Sequence, residues 1–220
     1  MEPHELLTTP AGRRSLSHVS PAFFDTYYCG MRRAAHRDKW LTTINSEIAQ
    51  ARETGVKAKF LILAPRDHGK TEAAISIVCR ELCLDRDIRI LWISESQGQS
   101  EKRMRRIVSL LQSARIQEDW TTCPEEGARR FGDDSTWRAN ILYLDRERAS
   151  VDASLECIGA GGSVTGGHFD LIMCDDIQDD RNTYSAGVRS KTRDWWRGTI
   201  APMLSRGGAL VCIGTRKHHD

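Results

Sequence analysis

Three consecutive residues, Gly69, Lys70 and Thr71, have the chemical types needed to bind phosphate. They end the segment 60–71, FLILAPRDHGKT, in which an apolar run passes into a short polar loop. In a phosphate-binding loop, backbone N–H groups surround the phosphates, a lysine neutralises them and a hydroxyl reaches Mg²⁺. The general pattern has a glycine at the position of Ala64, so the match is imperfect. A solvated Gly-Lys-Thr turn is the alternative interpretation.

A second candidate group is the acidic pair Asp175 and Asp176, which directly follows the apolar run 171–174. This pattern predicts a central strand that ends in two carboxylates, at the edge where open α/β sheets bind ligands. In the Walker B pattern, the first carboxylate holds Mg²⁺ and the second orients the attacking water. Asp179 and Asp180 extend the cluster and leave open a rival interpretation, a two-metal site for phosphodiester hydrolysis.

A third candidate group follows the apolar run 209–213, which ends in Gly214, Thr215 and Arg216. A hydroxyl and a guanidinium at a strand end beside a phosphate site are suited to sensing the γ-phosphate. An ordinary strand-to-loop turn is the alternative.

The elements that position these residues are strands and helices typical of one α/β domain. Besides the apolar runs already named, strands are predicted at 88–93, 141–144 and 154–159, and helices at 40–55, 73–84 and around the basic stretch 102–111. The segment 120–137 is predicted to be irregular, and Pro3, Pro10 and Pro21 are expected to interrupt any regular element near the start of the chain.

The composition bears on nucleic-acid binding, on membrane spanning and on the state of the cysteines. The 220 residues include 32 basic and 30 acidic side chains, so the net charge of +2 gives no bulk signature of nucleic-acid binding. The basic helix is a candidate contact for a phosphate backbone or, equally, a solvated face. No apolar stretch is long enough to span a membrane. The seven cysteines lie mostly in apolar segments and are interpreted as reduced core thiols.

Three segments occur in the order expected for large terminase subunits of tailed double-stranded-DNA bacteriophages. The sequence resembles the ATPase portion of that family, over approximately residues 36–220, in APRDHGKT (64–71), LIMCDD (171–176) and CIGTRKHHD (212–220). Loops whose first glycine is replaced, with an arginine after the opening residues, are common in the family. Ala64 and Arg66 therefore fit the resemblance.

The resemblance implies Mg²⁺-dependent hydrolysis of ATP that powers translocation of double-stranded viral DNA into a procapsid. It also implies a RecA-like P-loop NTPase fold, a mainly parallel central sheet flanked by helices, with residues 1–35 as an N-terminal arm or lid and 36–220 as the ATPase domain. The expected partners are DNA, the portal protein, the small terminase subunit and further copies in a ring, in the host cytoplasm and without a membrane. The family's nuclease domain is absent from this sequence, so no nuclease activity is expected.

Roles are carried over by matching positions within the motifs. The nucleotide-binding candidates are Ala64, Pro65, Arg66, Asp67, His68, Gly69, Lys70 and Thr71, with His36 and Trp40 as candidates on the purine side. Thr71 and Asp175 are the Mg²⁺ candidates, Lys70, Arg66 and Asp176 the catalytic ones, and Gly214, Thr215 and Arg216 the coupling motif. Asp67 is expected to point away from bound phosphates, because an acid so close would repel them.

Several questions stay open at the level of sequence. Arg66 is either a cation for the transferring phosphate or a structural loop residue, and Arg138, Arg146 and Arg148 are weak candidates for a cation supplied to a neighbouring subunit. A helicase-like ATPase is the first alternative function. A small-molecule P-loop kinase with Arg181, Arg189 and Arg193 in a lid, and a non-catalytic scaffold, are less favoured. His218, His219 and Asp220 have the side-chain types of a three-residue metal site.

Overall fold

The computed structural model describes residues 3–121, 137–146, 148, 150–164, 167–177 and 185–215. The helices are α1 (Pro3–Thr8), α2 (Pro10–Val19), α3 (Pro21–Tyr27), α4 (Ala35–Thr54), α5 (Lys70–Leu84), α6 (Gln97–Leu111), α7 (Ala114–Trp120) and α8 (Ala186–Trp195). The strands are β1 (Ala58–Leu63), β2 (Ile90–Ser94), β3 (Ile141–Leu142), β4 (Leu155–Gly159), β5 (Phe169–Asp175) and β6 (Leu204–Gly214). A π-helical turn, Trp196–Ile200, and a 3-10 turn, Ala201–Met203, connect α8 to β6.

The six strands form one sheet in the order β1-β6-β5-β2-β4-β3. Neighbouring strands are parallel, except that β3 runs antiparallel to β4. The predicted α/β class and mostly parallel sheet are therefore confirmed. Strand β6 lies between β1 and β5, with Leu63 paired to Gly214 and Asp175 paired to Ile213. The residues that follow β1, β5 and β6 therefore meet at one edge of the sheet. The three candidate groups are among these residues.

Burial explains why the central strands could be recognised from the sequence. Every residue of β2 and β4 is buried, as expected for parallel strands covered on both faces. Side chains alternate between the two faces, so Trp92 packs with the helices of one face while Leu91 and Ile93 join the core of the other. Strand β1 is an edge strand with an alternating pattern, and Leu61 is 68% exposed.

The first part of the chain differs from the sequence-based expectation. Pro3, Pro10 and Pro21 do not interrupt regular structure; each is the first residue of a short helix. The physical reason is that the first helical position needs no N–H donor and favours the fixed φ of proline. The side chains of Thr9 and Ser20 cap α2 and α3 by accepting backbone N–H groups.

Buried ion pairs connect these early helices to later elements. The guanidinium of Arg13 contacts both carboxylate oxygens of Asp119, at 2.7 and 2.5 Å, and the Tyr28 hydroxyl donates to the same carboxylate at 2.6 Å. Arg37 of α4 donates to Asp25 of α3 at 2.5 Å. The division of the chain at residue 35 into an arm or lid and an ATPase domain stays a prediction.

Other expectations concern the cysteines and the segment 120–137. Free thiols are found at Cys29, Cys79, Cys83, Cys157, Cys174 and Cys212, and all but the last are buried. Burial raises the pKa of the Cys79 thiol well above its ordinary value, which fits a packing role. Helix α7 covers the start of the segment expected to be irregular, and 122–136 lie outside the described residues. No helix in the described part of the chain is long and apolar enough to cross a membrane.

Candidate functional site

A cavity of about 390 Å³ opens at the carboxyl edge of the sheet. Its walls come from the loop after β1, the first turn of α5, and the residues that follow β2, β5 and β6. The lining residues are Arg66, Asp67, Gly69, Lys70, Thr71, Glu72, Glu95, Asp176 and Thr215. The structure thus brings the three predicted groups together in one place, although they are far apart in sequence.

The loop between β1 and α5 turns sharply before the helix begins. Asp67 has φ of 64° and Gly69, which caps α5, has φ of 71°, in the left-handed region that glycine adopts without a steric penalty. A Cβ atom at Gly69 would also lie 3.3 Å from Nη1 of Arg37. Glycine therefore suits both the turn and the close approach of α4. The N-terminus of a 15-residue helix faces the cavity, where its free N–H groups favour an anion.

Lys70 is buried at the base of the cavity. Its Nζ donates to the carbonyl oxygens of Ala64, at 2.9 Å, and Pro65, at 2.6 Å. These carbonyls belong to the start of the loop, so the lysine holds the loop closed. An ammonium group has three N–H donors, and one remains for a ligand in the cavity. Ala64 and Pro65 contribute to the site by positioning Lys70, and neither lines the cavity.

The buried carboxylate of Asp175 joins α5 to α6 across the end of β5. Its Oδ1 accepts a hydrogen bond from the Thr71 hydroxyl at 2.9 Å, and its Oδ2 accepts one from Nε of Arg103 at 3.0 Å. Burial raises the pKa of the Asp175 carboxyl, and the charge of Arg103 and the Thr71 hydroxyl act in the opposite direction. Arg103 was not predicted as a site residue, since the sequence showed it simply as one cation on a basic helix.

The second carboxylate, Asp176, faces the other side of β5. Its Oδ1 accepts the backbone N–H of Thr215 at 2.9 Å, and its own N–H donates to the carbonyl of Ile213. Asp176 has φ of 45°, so its backbone leaves the strand in a sharp turn. The carbonyl of Gly214 accepts the N–H of Ala64, which ties the end of β6 to the loop as well. Arg216, the third residue of the predicted coupling motif, lies outside the described residues.

Among the described residues that line the cavity, carboxylates outnumber cations. The cations are Arg66 and Lys70, and the carboxylates are Asp67, Glu72, Glu95 and Asp176. Asp67 is among the lining residues, and its orientation relative to bound phosphates stays a prediction. Such an excess of negative charge repels an anionic ligand unless a divalent cation accompanies it.

Thr71, which lines the cavity, and Asp175, which is buried beside it and does not, carry oxygen atoms of the kind that Mg²⁺ binds. This ion prefers oxygen ligands and commonly takes one or two from the protein and the rest from water and phosphate. Thr71 and Asp175 present a hydroxyl and a carboxylate that already lie together. The described residues contain no group of three or more His, Cys, Asp and Glu side chains able to hold a metal without such help. Asp179, Asp180 and the triad 218–220 lie outside the described part of the chain.

Besides Ala64 and Pro65, the predicted nucleotide-binding residues His36, Trp40 and His68 do not line the cavity. Nε2 of His36 lies 3.2 Å from the carbonyl oxygen of His68, and the His36 ring contacts that of Trp40 edge-on. The imidazole of His68 in turn lies 2.8 Å from the Arg66 carbonyl through its Nδ1. This chain of contacts supports the outer side of the loop, and a purine contact by His36 or Trp40 stays a prediction.

The arginines proposed to act on a neighbouring subunit lie away from this cavity. Arg146 donates to the carbonyl of Ile88, and the backbone of Arg148 contacts Asp87, both just before β2 at the opposite edge of the sheet. Arg138 lines a separate groove beside α6. Arg189 and Arg193 lie on α8 and do not line the cavity, while Arg181 is outside the described residues.

Comparison with known proteins finds one distant similarity. No protein-family model matches the chain. The chain is 23% identical, over 152 residues, to a protein named terminase, large subunit, of Enterobacteria phage T3. The match covers 68% of this chain and 24% of that protein, so the chain spans a small part of its relative. The chain is therefore related, at this distance, to a phage terminase large subunit.

Proposed function

We propose that the chain is a Mg²⁺-dependent ATPase of the RecA-like P-loop type. The observation that carries this proposal is the meeting of Lys70, at the start of α5, with Thr71, Asp175 and Asp176 at one edge of a parallel sheet. The strand order adds support, because β6 separates the strand of the loop from the strand of the acidic pair. Ligands of open α/β sheets bind at this edge.

The proposed roles follow from the contacts of each side chain. The free donor of Lys70 and the N-terminus of α5 bind the β- and γ-phosphates, and Arg66 faces them from the loop. Thr71 and Asp175 hold Mg²⁺, which when bound neutralises the charge that develops on the phosphate oxygens. A carboxylate that lines the cavity orients the attacking water, and Asp176 is the residue that the sequence predicts for this role.

The relationship to a terminase large subunit supports a role in packaging phage DNA. In this proposal, hydrolysis moves double-stranded DNA into a procapsid, with the portal protein, the small terminase subunit and further copies of the chain as partners. Thr215 is suited to coupling, because its N–H contacts Asp176 while its neighbour Gly214 contacts the loop through Ala64. Closing of the loop around a nucleotide would thereby pull on the end of β6.

The direct test is release of phosphate from ATP by the purified chain, with Mg²⁺ and double-stranded DNA present. Turnover should fall by at least about 100-fold in Lys70→Ala, since removing a preorganised donor to a developing charge costs this much in other enzymes. Lys59→Ala is the matched control, because Lys59 is exposed on β1 and outside the cavity. Equal turnover in the wild-type chain and in Lys70→Ala would contradict the proposal.

The same assay separates packaging from its nearest alternative. Stimulation of turnover by blunt duplex DNA without strand separation fits translocation along a duplex. Separation of a labelled duplex during turnover would favour the helicase-like alternative.

A further inference from the structure

Glu95 occupies a position in the cavity that no motif assigns. It directly follows β2, the strand that pairs with β5 on the side away from β6. Ser94 of β2 pairs with Asp175 of β5. Glu95 and Asp176 are the next residues of these two adjacent strands. Both line the cavity, together with Lys70. The site therefore has two carboxylates at the same level of the sheet, one after each strand.

The two carboxylates of the acidic pair differ in their contacts: both oxygens of Asp175 accept hydrogen bonds, and Oδ1 of Asp176 accepts one. Asp175 accepts hydrogen bonds on both oxygens, from Thr71 and Arg103, and its side chain is 1% exposed. Asp176 accepts the N–H of Thr215, which holds its Oδ1 toward β6. This hydrogen bond holds the Asp176 side chain on the β6 side of β5, whereas β2 lies on the other side.

The remaining carboxylates of the cavity differ in whether they pair with another side chain. Glu72 pairs with Arg106 of α6 at 3.6 Å. Asp67 lies on the loop after β1, a strand that β6 and β5 separate from β2 in the sheet. Glu95 is half-buried and makes no hydrogen bond or ion pair with another residue that the structure describes. Its side chain is also one methylene longer than that of Asp176.

We infer that Glu95, rather than Asp176, is the catalytic residue that accepts the proton of the attacking water. This inference rests on the proposed ATPase function. A water oxygen forms a bond to the γ-phosphorus while the bond from that phosphorus to the β–γ bridging oxygen breaks. The electron pair of the broken bond leaves on ADP, and the proton of the water passes to the Glu95 carboxylate and from there to solvent. Asp176 positions the end of β6 through Thr215.

The test compares Glu95→Gln with Asp176→Asn and with Glu101→Gln. Glu101 lies on α6 outside the cavity, so Glu101→Gln is a matched control for the same chemical change. Loss of a general base reduces turnover by about 10²- to 10⁴-fold, and this is the loss expected for Glu95→Gln. Asparagine at position 176 still offers an oxygen to Thr215, so Asp176→Asn should lose less than about tenfold, the size of one neutral hydrogen bond.

A second readout does not depend on turnover. Glu95→Gln should bind Mg·ATP with an affinity within about threefold of the wild-type chain, because glutamine preserves the shape of the side chain. The nucleotide recovered from its complex should be intact triphosphate. If Glu95→Gln fails to fold, Glu95→Asp retains the carboxylate and should show reduced but measurable turnover.

The outcomes separate the inference from the function on which it rests. Wild-type turnover in Glu95→Gln, with Lys70→Ala inactive, would overturn the inference and leave the ATPase proposal in place. A larger loss in Asp176→Asn than in Glu95→Gln would return the role to Asp176. Turnover that is equal in the wild-type chain and in Lys70→Ala would instead remove the proposed function itself.

Discussion

Lys70 and the acids around it determine what kind of ligand the cavity accepts. Two carbonyl oxygens hold the ammonium of Lys70, and the described residues of the lining include twice as many carboxylates as cations. A bare triphosphate would meet this excess of negative charge directly. We therefore expect the nucleotide and a divalent cation to bind together. The negative charges of Asp67 and Glu72 lower the affinity for a bare triphosphate, and the cation offsets this repulsion.

Asp67→Asn is expected to tighten binding of Mg·ATP by about two- to fivefold, the range for an exposed charge pair. The reason is that the substitution removes one like charge from the loop that faces the phosphates. Isothermal titration with a non-hydrolysable ATP analogue measures the change. Asp145→Asn, an exposed aspartate outside the cavity, should have no effect. Weaker binding by Asp67→Asn would mean that Asp67 makes a favourable contact with the ligand.

Arg103→Gln is expected to destabilise the folded chain. Its guanidinium is the charged partner of Asp175, a carboxylate with 1% of its side chain exposed, and glutamine would leave that charge poorly compensated. The free energy of unfolding should fall by about 1–3 kcal/mol near neutral pH. Urea denaturation measures this loss. Arg105→Gln, on the exposed face of the same helix, should change stability by less than about 0.5 kcal/mol. Equal stability of the two variants would show that the ion pair contributes nothing.

At the scale of elements, the sequence predicts the strands and the turn between β1 and α5 well because each is a local pattern. Apolar runs that end in chemistry-bearing residues predicted β1, β5 and β6, and the structure places their ends at one edge. Helix α4 ends where glycine predicted it, at Gly55 with φ of 71°. The early helices were missed because a proline in a sequence can either interrupt a regular element or be the first residue of a helix.

Two parts of the site could not be predicted from local patterns. Arg103 reaches Asp175 from α6, which packs on β2 and β4, and a charge run on a helix does not reveal which of its cations turns inward. Glu95 was visible as an acid after an apolar strand, the same signal that identified Asp175. The sequence does not show that it lies beside the acidic pair, because this depends on β2 being the neighbour of β5 in the sheet.

The amino ends of three strands are joined by Arg89, at the edge opposite the cavity. Its guanidinium donates to both oxygens of Asp170, at 3.0 and 2.9 Å, and to the hydroxyl of Ser205 at 3.1 Å. Burial opposes ionisation of Asp170, but the hydrogen bonds and charge of Arg89 outweigh it, so the pKa of the carboxyl lies below its ordinary value of 3.8. A lowered pKa stabilises the folded state above the unfolded value.

Asp170→Asn should therefore lower the free energy of unfolding by about 0.5–1.5 kcal/mol near neutral pH. The difference from the wild-type chain should persist down to about pH 4 and shrink as the pH falls further, through the lowered pKa, because the wild-type carboxylate is then protonated. Urea unfolding across this range measures it. Asp194→Asn, exposed on α8, is the control. A difference that grows below pH 4 would contradict the assigned direction.

At the scale of the whole molecule, the sheet separates two kinds of chemistry. Its carboxyl edge carries the cavity with Lys70, Asp176 and Glu95, while its amino edge carries structural ion pairs around Arg89. Strand β6 spans both, since it starts beside Asp170 and ends beside Asp176. One strand therefore connects the cavity to the opposite edge of the sheet.

The central claim is that this cavity binds Mg²⁺ and ATP through Lys70. The most direct measurement is calorimetric titration of a non-hydrolysable ATP analogue into the wild-type chain and into Lys70→Ala, with Mg²⁺ and then with a chelator. The account predicts one site per chain, binding that disappears with the chelator, and a loss of about 10- to 100-fold in affinity in Lys70→Ala, the size of a charge-assisted hydrogen bond. Equal affinity in the two chains, or binding that does not depend on Mg²⁺, would contradict it.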